Sequence, residues 1–254
     1  MIEMEEALRI PLTMSKDCAS LAPDVTLGVL FSRRGELAFE KVAQLCQDIN
    51  EEGNGVIGIS AYLAPNSLLL IGQGDTLDRL SDRRKEISDE RVFLRRNDNK
   101  WPPLHTPLVW QHNIPNRSMQ MMHVMPILAD APTPAVFSLV TGEANYTRSN
   151  LREIIGDWVD HPQRLWDAVL HTTSEGVEHI VHVGPQPNII PATFDRLAGN
   201  VSSQTKESVS IRALSGIVNR PWLTSLLPRR ASLLRATQLT HIKLEEWLVE
   251  HAPS

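Results

Sequence analysis

A histidine in a proline-bounded loop is the residue of this sequence best suited to acid–base chemistry. His105 stands in the segment Pro103-Leu-His-Thr-Pro107. An imidazole titrates near neutral pH, so it can accept a proton and return it during a reaction. The prolines restrict the backbone on both sides of His105, which favours a fixed side chain facing a cleft. The pattern makes His105 a candidate general base, with an ordinary loop histidine as the alternative.

Other signatures of catalysis or metal binding are missing from the sequence. It has no Gly-x-Ser-x-Gly, Gly-x-x-x-x-Gly-Lys or His-Glu-x-x-His motif. His179 and His182 lie in a predicted strand at an odd separation, so they should point to opposite faces. The two cysteines, Cys18 and Cys46, form no metal or redox pattern and fit a reducing cytoplasm. We predict no metal and no bound cofactor.

The spacing of apolar residues between Val25 and Arg96 predicts a compact βαββαβ unit. This order is that of the split βαβ or ferredoxin-like unit, a four-stranded sheet covered on one face by two helices. The predicted strands and helices lie at 25–31, 36–49, 56–63, 67–71, 75–87 (capped by Asp75) and 92–94.

The rest of the chain predicts a looser α/β arrangement. We expect a loop at 97–107, a Met-rich helix at 119–128, a buried strand at 135–140, a helix at 149–161 capped by Ser149, a helix at 165–174, a strand at 178–183 and an amphipathic terminal helix within 229–251. Two strands cannot form a sheet covered on both faces, so further strands should pair with them.

Composition narrows the functional classes. The 254 residues are 42% hydrophobic and carry a formal net charge of −5, which is typical of a soluble globular protein of one or two domains. No basic stripe favours nucleic acid, and no apolar run reaches the roughly 18 residues of a membrane span. The acidic N-terminus lacks the features of a secretory signal, so we expect a cytoplasmic protein.

Four segments, in this order and spacing, resemble one enzyme family. They are Glu5-Glu-Ala-Leu-Arg9, residues 60–72, Pro103-Leu-His-Thr-Pro-Leu108 and residues 176–185. Together they are similar to malonyl-CoA:acyl-carrier-protein transacylases and to the acyltransferase domains of polyketide synthases. The resemblance covers roughly residues 3 to 198.

The resemblance implies a fold, a reaction and partners. The fold is a partial α/β-hydrolase-like acyltransferase core with an inserted ferredoxin-like subdomain. Its parts would be a helical remnant of the core at 1–24, the small subdomain at 25–96, the C-terminal part of the core with the histidine loop at 97–200, and a linker with a terminal helix at 201–254. His105 matches the catalytic histidine of a serine-dependent, ping-pong acyl transfer in fatty-acid or polyketide biosynthesis. Acyl-CoA would donate the acyl group, and the phosphopantetheine of an acyl carrier protein would receive it.

Three departures from the family pattern affect what the resemblance implies. The family's nucleophilic serine lies just before the Glu-Ala-Leu-Arg helix, where this chain begins, so we expect a C-terminal portion of a transacylase. Three explanations stay open: a separate N-terminal acyltransferase portion that acts as a partner, a start assigned too late, or a lineage that lost the activity. Met14 falls at the position of the malonyl-selective arginine, and a thioether cannot pair with a carboxylate as a guanidinium does. Trp158 falls where the family has a glutamine whose backbone carbonyl holds the catalytic histidine.

Three hypotheses about function remain open. The chain is part of a transacylase, a non-catalytic binder of acyl-CoA or carrier protein, or a ferredoxin-like regulatory or assembly module. His105 would be essential to the first, dispensable for binding in the second and irrelevant to the third.

Overall fold

The structure, a computed structural model, describes residues 4–33, 35–88, 91–97, 102–124, 131–184, 189–207 and 229–252. Its helices are α1 (Met4–Leu21), α2 (Phe39–Glu51), α3 (Thr76–Asp82), α4 (Ile114–Val124), α5 (Leu151–Asp160), α6 (Leu165–Ser174), α7 (Ile189–Glu207) and α8 (Leu244–Glu250). Its strands are β1 (Val25–Ser32), β2 (Ile57–Ala64), β3 (Ser67–Gln73), β4 (Val92–Asn97), β5 (His179–His182) and β6 (Thr240–Lys243). Short 3-10 helices span Ala22–Asp24, Arg84–Glu86, Pro107–His112 and Arg229–Thr237.

Strands β1 to β4 form one antiparallel sheet in the order β2-β3-β1-β4. Together with α2 and α3 they follow the predicted βαββαβ order. Leu30 on β1 stands opposite Leu68 on β3 and Leu94 on β4. Since alternate residues of a strand share a face, this register places the three leucines on the same side of the sheet. We call this part of the chain, residues 25–97, the four-stranded unit.

The core of the four-stranded unit lies between the sheet and its two helices. All four strands and both helices contribute buried side chains, because each element has an apolar face of the matching period. The members are Leu30, Leu37, Val42, Leu45, Cys46, Ile49, Ile57, Ile59, Leu68, Leu70, Leu77, Leu80, Ile87 and Val92. Burying each large aliphatic side chain contributes about 1.5–3 kcal/mol, so this core stabilises the sheet that supports the site described below.

Helix α3 is shorter than predicted, and its cap differs. Asp75 occupies the N-cap position, but its carboxylate contacts Arg79 Nε at 3.1 Å and makes no cap hydrogen bond to the backbone. The α-helix ends at Asp82, and Arg84–Glu86 continues as a 3-10 turn. The predicted helix at 75–87 is therefore two shorter helical segments.

A second apolar cluster joins α1, α4 and α5. Its buried members are Met14, Cys18, Leu21, Val109, Ile114, Met122 and Val159. The predicted Met-rich helix corresponds to α4, which begins five residues earlier, at Ile114, while residues 125–128 lie outside the described residues. Met122 is buried in this cluster, whereas Met119 is 41% exposed.

Two predictions between α4 and α5 are wrong. No strand forms at 135–140 within the described residues; instead the Ser138 amide donates to Glu143 O at 2.8 Å and closes a turn. An apolar run becomes a strand only where another strand pairs with it. None of the described strands pairs with residues 135–140. Ser149 does not cap α5, because the N-cap residue is Asn150, whose side chain accepts from the Thr147 amide at 2.7 Å.

The chain divides into two units, Met1–Trp166 and Asp167–Ser254. In the second unit β5 pairs with β6 in parallel, with His179 opposite Thr240 and His182 opposite Lys243. The predicted strand at 178–183 is thus present, and one partner comes from the segment predicted to be a terminal helix. That segment, 229–251, is instead divided into a 3-10 helix, β6 and α8.

Within the described ranges, no helix has the length and apolar character needed to cross a membrane.

Candidate active site

His105 is held in an unfavourable backbone conformation. Its φ of 66° lies in the left-handed region, which costs a non-glycine residue about 1–2 kcal/mol. Two hydrogen bonds hold this loop: the His105 amide donates to Val159 O at 2.7 Å, and Thr106 Oγ1 donates to Pro103 O at 2.6 Å. Such strain persists only where surrounding contacts impose it, and it is concentrated at functional sites.

The imidazole of His105 is oriented by a main-chain carbonyl. Nδ1 lies 2.5 Å from Trp158 O. Because a carbonyl oxygen can only accept a hydrogen bond, Nδ1 is the protonated nitrogen and Nε2 keeps its lone pair. None of the described residues forms a hydrogen bond with Nε2. The side chain therefore has one nitrogen fixed by the fold and one able to accept a proton.

The C-terminal turn of α5 supplies both acceptors for His105. The last four carbonyls of a helix have no intrahelical partner. Trp158 and Val159 lie in the final turn of α5. The backbone and the imidazole of His105 occupy these two carbonyls. The carbonyls at this end of α5 carry the negative end of the helix dipole. They therefore also stabilise positive charge on the imidazole when it takes up a proton.

Burial keeps His105 in its neutral form. Desolvation lowers the pKa of the imidazole, and the hydrogen bond to the Trp158 carbonyl opposes this shift without cancelling it. The Trp158 ring adds to the burial, with its centroid 4.9 Å from that of His105 in an edge-to-face arrangement. Near neutral pH the histidine is therefore uncharged and can act as a base.

Strand β2 supports the histidine loop from the other side. Gly58 has no side chain, and a Cβ built there would lie 2.7 Å from Pro107 Cδ. Ser60 Oγ donates to Leu104 O at 3.3 Å, next to His105. The sequence motifs do not predict this support. An isolated glycine inside a strand is the available signal, since it often marks a close approach of another segment.

The same strand also fixes the end of α5. The Gln163 amide donates to Ser60 O and the Tyr62 amide donates to Gln163 O, both at 2.8 Å. This isolated parallel bridge follows α5 directly. Since α5 and the histidine loop both bond to β2, the distance between His105 and the Trp158 carbonyl is set by one rigid strand.

Met14 lies in the wall of a cavity next to this histidine. The cavity has a volume of about 310 Å³ and is lined by Met14, Ser15, Cys18, Ala19, Ala22, Pro102, Leu104 and Trp158. The structure thus brings together the three residues singled out in the sequence: Trp158 contacts His105 directly and shares the cavity wall with Met14. His105 is not itself a lining residue of the cavity.

Two serines beside the histidine loop and the cavity bond to main-chain carbonyls. Ser60 Oγ donates to Leu104 O, and Ser15 Oγ donates to Leu12 O at 2.6 Å. Neither hydroxyl is hydrogen-bonded to the imidazole of His105. The arrangement places a neutral imidazole with a free Nε2 in the site, and neither of these two serines is paired with it.

One group of side chains has the spacing of a cation site. Asp157, Asp160 and His161 place one ligand atom each within 4.8 Å of one another, and within the described ranges this is the one such group of three. His161 Nδ1 lies 2.7 Å from Asp160 Oδ1. Burial is the main cause that raises the pKa of the Asp157 carboxyl, with nearby carboxylates adding to it. These features describe a local hydrogen-bonded group and do not identify a metal.

The second unit contains a pair of histidines of a different kind. His182 is buried and His179 is exposed, as expected if their side chains point to opposite faces of β5. The Nε2 atom of His182 lies 2.8 Å from His241 Nδ1. Burial lowers the pKa of His182, and the neighbouring His241 lowers it further. In this pair each imidazole uses a ring nitrogen to bond the other.

No protein-family model matches this sequence, and no curated protein matches it either. The fold, in contrast, matches solved structures. FabD from Acinetobacter baumannii has a TM-score of 0.59 and 16% identity over 74% of this chain. A malonyl CoA-acyl carrier protein transacylase from Clostridium perfringens has a TM-score of 0.60 and 14% identity over 98% of this chain.

A third match is a malonyl-transacylase in complex with the acyl carrier protein of a type II polyketide synthase, with a TM-score of 0.59 and 15% identity over 76% of this chain. The chain spans 57% of the length of the Acinetobacter protein, 65% of the Clostridium protein and 59% of the third. Over the part of their length that it spans, this chain has the fold of the malonyl-CoA:acyl-carrier-protein transacylases.

Proposed function

We propose that the chain takes part in acyl transfer from acyl-CoA to the thiol of an acyl carrier protein, with His105 as the general base. The observation that carries the proposal is the contact of His105 Nδ1 with the Trp158 carbonyl, which leaves Nε2 neutral and available. Its setting, in a fold shared with transacylases, supports this chemistry over unrelated base catalysis.

The proposed roles of the residues follow from the hydrogen bonds. His105 Nε2 takes the proton of an attacking hydroxyl or thiol and gives it to the leaving thiolate, since one imidazole can serve in both directions. Trp158 and Val159 hold the ring and loop in place through their carbonyls. The family serine has no counterpart in a Gly-x-Ser-x-Gly motif of this sequence, so the identity of the nucleophile stays a separate question.

The proposed partners are acyl-CoA and a holo acyl carrier protein. The malonyl-transacylase in complex with its carrier protein supports the carrier protein as a partner. No bound cofactor enters the proposed reaction, because the acyl group and both thiols belong to the substrates.

The test is acyl transfer to holo acyl carrier protein, measured for the full chain with malonyl-CoA and acetyl-CoA. We expect His105→Ala to lower the rate by about 10²–10⁴, the usual contribution of a general base. His112→Ala is the matched control, because His112 is an exposed histidine in the adjacent 3-10 helix and should leave the rate unchanged. Transfer that is equal in His105→Ala and the original chain would contradict the proposed role.

A non-catalytic binding role is the second candidate, favoured by the missing Gly-x-Ser-x-Gly motif. It predicts that neither protein transfers the acyl group, while acyl-CoA or carrier protein still binds to His105→Ala with unchanged affinity. The two functions are thus separated by measuring binding and transfer on the same two proteins.

A further inference from the structure

The cavity beside His105 has walls of unusually uniform chemistry. Met14 and Cys18 are buried in it, and Leu104 and Trp158 are partly buried. The one hydroxyl among the described lining residues belongs to Ser15, and it is directed to the Leu12 carbonyl. A ligand in this space therefore meets methylene groups, sulfur atoms and an aromatic ring.

Two residues, Trp158 and Leu104, connect the cavity with His105. Trp158 contributes its side chain to the wall and its carbonyl to His105, and Leu104 lines the wall one residue before His105. A group seated in the cavity would thus be held next to the segment that carries the imidazole. This position suits the part of a substrate that must be fixed while a bond near Nε2 reacts.

No described lining residue carries a charge at neutral pH. Burial, with a smaller contribution from Asp17, raises the pKa of the Cys18 thiol to about 11, so the thiol stays neutral. Asp17 itself pairs with Arg117 Nη1 at 2.5 Å, and Lys16 is exposed. Ser15, Ala19 and Pro102 are exposed, so the cavity opens to solvent on that side. A carboxylate placed against the buried walls would give up water there without gaining a cation, which is unfavourable.

We propose that this cavity binds an uncharged, apolar acyl group. The protein would then be selective for alkanoyl thioesters over malonyl thioesters. The inference rests on the proposed acyl-transfer function and specifies its substrate. A volume of about 310 Å³ is at the lower end of the range for ligand pockets, about 300–1,000 Å³, which fits a short acyl chain and excludes a folded partner segment.

The test is calorimetric binding of hexanoyl-CoA, malonyl-CoA and unacylated CoA to the full chain. Each methylene moved from water into an apolar site improves affinity by about fourfold. We expect hexanoyl-CoA to bind at least tenfold tighter than CoA, with a more negative heat-capacity change, and malonyl-CoA to bind no tighter than CoA.

Variants of α1 locate the effect in the cavity. Met14→Arg should reduce hexanoyl-CoA affinity to that of CoA, because the side chain fills the space and brings a charge. Leu12→Arg makes the same type of change at a position 67% exposed on the same helix and should have no effect. Met14→Leu, which conserves volume, should keep the hexanoyl preference and serves as the variant that folds without strain.

The possible results separate the two proposals. Malonyl-CoA binding as tightly as hexanoyl-CoA, or equal effects of Met14→Arg and Leu12→Arg, would overturn the acyl-chain inference while leaving His105-dependent transfer intact. If no thioester binds and no transfer occurs, the proposed function fails, and the inference that rests on it fails too.

Discussion

The four-stranded unit and the β5–β6 pair differ in how far each strand is covered. In the first, buried residues from four strands and two helices enclose one core. In the second, two short parallel strands leave Val181 52% exposed and Val183, just beyond β5, 72% exposed. Strands that are buried on one face are stabilised by side-chain packing, so truncating their buried side chains is costly, while exposed strands depend on their backbone hydrogen bonds.

The same difference separates the two histidine environments. His105 lies in a loop that bonds both to the C-terminal turn of α5 and to β2, so the well-packed sheet fixes the position of the histidine. His182 lies on β5 and is bonded to another side chain, His241 on β6. A histidine oriented by backbone carbonyls keeps Nε2 for chemistry, whereas paired histidines use ring nitrogens to bond each other.

The largest expected effect tests the packing difference. Leu70→Ala removes a fully buried side chain of β3 and should lower the free energy of unfolding by about 2–5 kcal/mol. Val181→Ala on β5 should change it by no more than about 0.5 kcal/mol, because its side chain is half-exposed. Denaturant unfolding, with hydrogen exchange of β1 and β5 amides, measures both. Equal losses would remove the distinction between the two sheets.

A second pair of variants compares two glycines. Gly58→Ala would place Cβ 2.7 Å from the Pro107 ring, which cannot rotate away, so we expect a loss of about 1–3 kcal/mol and weaker His105-dependent transfer. Gly199→Ala in α7 meets nothing within 4 Å and should add about 0.5–1 kcal/mol through helix propensity. Unfolding curves and the transfer assay give the results. An unaffected Gly58→Ala would show that β2 does not position the histidine loop.

The smallest expected effect is the pH dependence of stability. Burial lowers the pKa of His105 in the folded state, so just below pH 6.5 the unfolded chain binds more protons than the folded chain. Stability should therefore fall as the pH drops through this range and level off below the folded pKa. His105→Gln should weaken this fall, and the remainder should have the same sign because the pKa of His182 is also lowered. Unfolding free energies at pH 7.5 and pH 5 provide the comparison, and a steeper fall in the variant would contradict it.

The features that the sequence predicts best are local ones. The βαββαβ order follows from the apolar period within each segment, and both α6 and β5 are found near their predicted positions. Predictions that depended on distant partners were less successful. The apolar run at 135–140 has no pairing strand among the described residues, while β6 forms inside a segment with helical spacing because β5 is there to pair with it.

The candidate site shows the same limit. His105 could be identified from its motif, and Trp158 from its alignment with the family glutamine, and the two are in contact. The role of Val159 depends on how α5 approaches the loop, which no local pattern contains, while Gly58 gives only the weak signal of an isolated glycine inside a strand. Met14 is buried as an apolar residue would be, but only the fold shows that it shares a cavity wall with Trp158.

The protonation state of His105 tests the central claim most directly. Heteronuclear NMR of the imidazole nitrogens, assigned by comparison with His105→Asn, reports which nitrogen carries the proton and the pH at which the ring titrates. We expect protonated Nδ1, unprotonated Nε2 at neutral pH, and a midpoint below the ordinary histidine value near 6.5. A proton on Nε2 at neutral pH, or a midpoint above that value, would contradict the assignment of His105 as the general base.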